Sequence, residues 1–88
     1  MDKLTVELRP LEIETDSDYV LKQTEGGYVL FLRESPTLTK VVEVERDCNQ
    51  VSFTIYDCDF RIEFDPVAGV HTIVDDVEDI VVADVTIG

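Results

Sequence analysis

Val51-Ser52-Phe53-Thr54-Ile55-Tyr56-Asp57-Cys58-Asp59-Phe60-Arg61-Ile62-Glu63-Phe64 alternates apolar and polar side chains on both sides of a break at Asp57-Cys58. Period two marks a strand with one face buried. Folded at the break, the stretch predicts a hairpin with Ile55 opposite Phe60, Phe53 opposite Ile62 and Val51 opposite Phe64. These six side chains then share one face. Thr54 meets Arg61 and Ser52 meets Glu63 on the other. Cross-strand pairs of this kind are the unit of sheet stability.

Residues 38–46 alternate in the same way, with Val42 and Val44 on one face and Glu43 and Glu45 on the other. A turn at Asp47-Cys48 sets Val44 opposite Val51 and Val42 opposite Phe53, on the face already chosen. The expectation is a three-strand meander, 38–46, 50–56 and 59–64. Its core would be Val42, Val44, Val51, Phe53, Ile55, Phe60, Ile62 and Phe64.

Leu4, Val6 and Leu8 predict a first strand, ended by Pro10, which cannot donate to a ladder. Residues 11–14 resume the alternation, and 15–18 carry turn chemistry. Residues 19–23 and 28–33 read as a hairpin about Gly26-Gly27. Residues 28–32 are apolar on both faces, which places that strand centrally in its sheet. Loops are expected at 34–37 and 65–69, with a short strand at 70–74 between the second loop and the acidic run. Asp75-Asp76-Val77-Glu78-Asp79 reads as one helical turn or an acidic loop, with Asp75 as N-cap and Glu78 three residues on. The final strand, 80–87, is rich in β-branched residues and apolar enough to pair as a sheet edge. The fold class is all-β: a small single domain over 1–88, an antiparallel sandwich or partly open barrel of about six to seven strands around the 38–64 meander.

With 88 residues, of which 44% are apolar, the chain is long enough for one modest core. Twenty acids against seven bases give a net charge of -13. Such a surface repels nucleic acid and anionic membrane and attracts cationic partners. The bases are scattered, and none follows Arg61, so acidity gathers toward the C-terminal third. The first residues lack the apolar core of a secretory signal, and the longest apolar run, 28–32, is far short of a membrane span. These features predict a soluble cytoplasmic protein.

Catalytic and cofactor signals are weak. Neither a P-loop nor a dinucleotide fingerprint occurs. His71 is the one histidine, with no serine or cysteine tied to it by spacing. Cys48 and Cys58 lack the further ligands that zinc requires. The meander sets them roughly 30 Å apart, too far to bond to each other. Their acidic neighbours blunt thiol reactivity, so both read as free thiols at turns. The D-x-D pairs and the 75–79 cluster lack the spacing of an EF-hand and read as solvated acidic loops. The expectation is a protein without catalytic residues, metal or cofactor.

Two functional readings follow. The first is a non-enzymatic acidic module that binds and occludes a basic protein surface, such as that of a nucleic-acid-binding protein, by imitating phosphates. Small phage-encoded inhibitors act this way as a class, an analogy of charge and size alone. Its contact residues would be Asp75, Asp76, Glu78, Asp79 and Asp84. The second is a structural β-subunit that joins a virion or other multi-protein assembly, or a homo-oligomer, through its sheet edges.

Overall fold

A computed structural model describes residues 3–9, 18–34, 36–48 and 50–87. Readings of Pro10 and of residues 11–17 fall outside them. The described chain is all-β: β1 (Leu4–Leu8), β2 (Asp18–Gln23), β3 (Gly27–Glu34), β4 (Thr37–Asp47), β5 (Gln50–Ile55), β6 (Phe60–Asp65), β7 (Val70–Asp75) and β8 (Ile80–Ile87). Eight strands thus replace the six to seven expected. They form two antiparallel sheets, ordered β1-β8-β7-β6 and β2-β3-β4-β5. Each sheet belongs to its own compact unit, and neither closes into a barrel.

The turns follow from local chemistry. Thr24 N–H donates to the Gly27 carbonyl at 2.8 Å to close the β2–β3 hairpin. Gly27 is required there: a Cβ would fall on the Val44 carbonyl oxygen. Between β4 and β5, Asp47 pairs with Gln50, leaving a two-residue turn. Cys48 adopts φ 56° in it, the left-handed conformation that such turns demand.

The two sheets share one plan. β4 pairs Val42 with Ile55, Glu43 with Thr54, Val44 with Phe53 and Glu45 with Ser52. In the other sheet, β8 pairs Ala83 with Leu8, Asp84 with Glu7, Val85 with Val6 and Thr86 with Thr5. On the opposite flank, Leu30 faces Val42 and Tyr28 faces Val44. Ile73 likewise faces Ala83, and His71 faces Val85. Each of these ladders carries a bulge at the corresponding place, and its register skips Val41 in one sheet and Val82 in the other. Both valines are buried. Val41 O accepts Tyr56 N–H at 2.9 Å, and Val82 O accepts Arg9 N–H at 2.8 Å. The sheet β6-β7-β8-β1 therefore repeats β2-β3-β4-β5, with its fourth strand drawn from the other end of the chain.

Val41, Val42 and Val44 are buried in one unit, and Val82, Ala83 and Val85 in the other. Burying a valine side chain contributes about 1.5–3 kcal/mol. Leu30 and Ile73 complete these cores from the neighbouring strands. β3 is an inner strand, as its two apolar faces require.

The 38–64 meander needs correcting. β4 and β5 do form a hairpin, but Val44 meets Phe53 and Val42 meets Ile55. The register lies two residues from the expected one, because the last pair before the corner is Asp47 with Gln50, so Asp47 is still in the ladder. Faces are preserved, since the side-chain period is two. β5 and β6 are not a hairpin at all. Tyr56 and Asp57 N–H both donate to Val41 O, which keeps the chain on β4 beyond the end of β5. Asp59 O accepts Asp76 N–H, so the next sheet begins there. β6 then pairs with β7, Ile62 opposite Ile73. Of the expected core, Val42, Val44 and Phe60 are buried, while Ile55 is 44% and Phe64 55% exposed. Val51, Phe53 and Ile62 are half-buried. The final strand is not an edge either: β8 lies between β1 and β7.

Candidate cation-binding surfaces

The acidic run 75–79 is a tight turn between β7 and β8 rather than a helical turn. Asp75 Oδ1 accepts Val77 N–H at 2.9 Å and Glu78 N–H at 3.4 Å. Asp79 then takes φ 55° and releases the chain into β8. Asp65-Pro66-Val67-Ala68-Gly69 uses the same device. Asp65 Oδ1 accepts Val67 and Ala68 N–H, and Gly69 takes φ 69°. Asp75 therefore builds the turn, as short side chains that bond their own backbone do.

Arg61 on β6 anchors the rest. Its Nη1 is ion-paired with Asp76, and its Nη2 lies 3.2 Å from Asp79 and 2.9 Å from Glu63. The hydrogen bonds to Glu63 and Asp79 raise its pKa further. Asp76 and Asp79 thus meet an internal cation, while Glu78 is exposed on the turn.

Asp84 stands apart from that turn, four residues into β8 from Ile80, or about 13 Å along the strand. It belongs to a row across all four strands, in which Glu7 faces Asp84, Asp84 faces Thr72 and Thr72 faces Glu63. An open hollow of about 350 Å3 lies beside this row, lined in part by Glu7, Arg9, Asp65, Val70, Asp84 and Thr86. Arg9 bonds both oxygens of Asp84, each at 2.7 Å. The five residues expected to make one patch therefore occupy two places.

The other unit carries a row to which the sequence reading gave no role. Glu43, Glu45 and Asp47 follow at every second position of β4, about 6.8 Å apart. Their β5 partners are Thr54, Ser52 and Gln50, and on β3 Val29 faces Glu43 and Gly27 faces Glu45. The flanking strands offer the row no cation at these positions. Lys40 Nζ lies 3.9 Å from Glu43 and 5.0 Å from the Tyr56 ring centroid. Crowding shows in Glu45, whose pKa is pushed up by its hydrogen bond and repulsion with Glu43, and less by Asp47. The sequence signal was the pattern E-x-E-x-D.

His71 stacks against Phe64 with ring centroids 4.5 Å apart, and burial lowers its pKa. Cys48 and Cys58 are exposed free thiols. Among the described residues no helix is long and apolar enough to cross a membrane. No protein-family model, curated protein or solved structure matches the chain.

Proposed function

We propose that this protein is a non-enzymatic, cytoplasmic interaction module that docks on a basic protein surface and covers it as a nucleic-acid mimic. The observation that carries the reading is the β4 row Glu43, Glu45 and Asp47, regularly spaced with neutral cross-strand partners and with Lys40 near Glu43 alone. Successive carboxylates on one strand face resemble the run of phosphates along a nucleic-acid backbone. The crowding that raises Glu45 costs stability in the free protein, and a lysine or arginine brought against the row would remove that cost. The row Glu7, Asp84 and Glu63, and separately Asp75, Asp76, Glu78 and Asp79 on the β7–β8 turn, give the other unit two further acidic places. Long-range attraction from a net charge of -13 would speed the encounter. Two exposed free thiols fit a reducing compartment.

The test is competition. A basic nucleic-acid-binding protein holding labelled DNA is titrated with this chain at several salt concentrations. Displacement should weaken with salt, because exposed charges are screened. Glu43→Gln/Glu45→Gln/Asp47→Asn should weaken displacement and flatten its salt dependence. A triple variant that competes as well as the parent at every salt concentration would remove this reading. It would favour the second, a structural β-subunit joined through the edge strands β1, β6, β2 and β5.

A further inference from the structure

In one sheet the fourth strand is delivered by a turn, and in its repeat it is not. β5 follows β4 through two residues and aligns Val51-Ser52-Phe53-Thr54-Ile55 against it. Leu4-Thr5-Val6-Glu7-Leu8 occupies the matching place on β8, pair for pair. Its apolar positions follow the same order as those of β5, with Thr5 in the place of Ser52 and Glu7 in the place of Thr54. Yet no hairpin joins β1 to β8. The strand is held by its ladder, by the Arg9 N–H bond to Val82 O and by the Arg9 pair with Asp84. All of these are non-covalent and all lie within Leu4–Arg9.

We infer that the place beside β8 is a strand-acceptor site, and that a second copy of this chain can fill it with its own β1. The occupant is specified by what the site requires. Leu4, Val6 and Leu8 must reach one face, against Ile87, Val85 and Ala83. The residue after the strand must carry a guanidinium to meet Asp84 and a backbone N–H to meet Val82 O. A second copy supplies all of this with no new contact, so the exchanged sheet has the same bonds as the original. That equivalence makes strand exchange a low-cost route to dimers. Salt acts on it in a characteristic direction. The Arg9–Asp84 pair is the same in both forms, so screening it favours neither. Repulsion between two chains of net charge -13 opposes association alone, and salt relieves it. Exchange should rise with salt, whereas docking on a basic partner falls.

The test mixes isotopically heavy and light full chains at high protein concentration and high salt, with native mass spectrometry as the readout. Mixed-isotope dimers are expected. A second preparation carries Thr5→Cys/Thr86→Cys with Cys48→Ser/Cys58→Ser. The Thr5–Thr86 pair is directly cross-strand, within disulfide range of about 4.4–6.8 Å between Cα atoms. Oxidised before mixing, it should stay monomeric. Oxidised after mixing, it should yield disulfides between heavy and light chains. Arg9→Ala in the parent should speed mixing about fivefold, by removing up to about 1 kcal/mol from the strand's hold. The inference is overturned if the parent never forms mixed dimers, or if the pre-oxidised variant forms them equally. It is also overturned if Arg9→Ala leaves mixing unchanged, a readout that stands even where the cysteine variant does not fold. The DNA-competition result is independent of all of these.

Discussion

Arg9 meets Asp84 in a two-point contact, Nε on Oδ2 and Nη2 on Oδ1, each at 2.7 Å, and so ties the residue after β1 to the middle of β8. The carboxylate raises the Arg9 pKa, chiefly through this hydrogen bond. Both side chains are partly exposed, so the pair is screened by water. Arg9→Ala should cost about 0.5–1 kcal/mol in urea unfolding, less at high salt. Amide exchange at Leu4–Leu8 should accelerate before that of Gln50–Ile55. Equal acceleration of both strands would show that the pair does not hold β1.

Adjacent glycines should behave oppositely. Gly26→Ala meets nothing within 4 Å and should be near neutral. Gly27→Ala places its methyl on the Val44 carbonyl, which is backbone and cannot swing aside. A cost of about 1–3 kcal/mol is expected from the forced shift, read as a lower thermal midpoint for Gly27→Ala alone.

Two groups give opposite pH slopes. Glu45 has a folded pKa above its unfolded value, so between the two values the folded chain holds more proton. Its contribution to stability therefore falls as pH rises through that window, beginning near the ordinary carboxylate value. Glu45→Gln should remove this slope and raise the urea midpoint at neutral pH. His71 has a folded pKa below its ordinary value of about 6.5. Its contribution is present above that value and is lost as pH falls through the folded pKa. His71→Gln should flatten the stability profile just below neutrality; a parent profile that is already flat there would contradict the assignment.

Cys48 stands in the left-handed region at φ 56° with an exposed side chain. Cys48→Gly relieves that conformation and should stabilise the fold by up to about 1 kcal/mol. Asp79 has φ 55° but also meets Arg61. Asp79→Gly should gain less, since it gives up that contact. Thermal midpoints of the two variants, ranked against the parent, check the order.

Strand existence was legible because alternation and turn residues are local signals. The Gly26-Gly27 hairpin is read from a few residues; at the next corner the existence of a turn was legible but not its register, since Asp47 pairs with Gln50. Strand partnership was not legible at 51–64. Period two tells which face of β5 holds Phe53 and which face of β6 holds Ile62, and nothing about whether the two strands meet. The bulge valines Val41 and Val82 break the alternation, so these two buried positions escaped a pattern search. The repeat itself was hidden because its last strand lies at the opposite end of the chain from β8. Within the acidic run, the sequence marked Asp75 as an N-cap, and its carboxylate does accept the Val77 and Glu78 N–H groups, though in a turn and not a helix. Arg61, which pairs with Asp76 and Asp79, sits on another strand and left no local trace.

The pairing of β1 with β8 has a consequence during synthesis. β2 to β5 can zip together as each strand appears, since every connection between them is short and loop closure is cheap. β1 is made before any of them, but its partner is the last of these eight strands to be translated. Its Leu4, Val6 and Leu8 must wait unpaired while most of the chain emerges. Long-range pairing of this kind slows folding, and the waiting strand is a natural target for chaperone capture. The slow phase of refolding should therefore belong to β1 and β8, arriving after the β2–β5 sheet is complete.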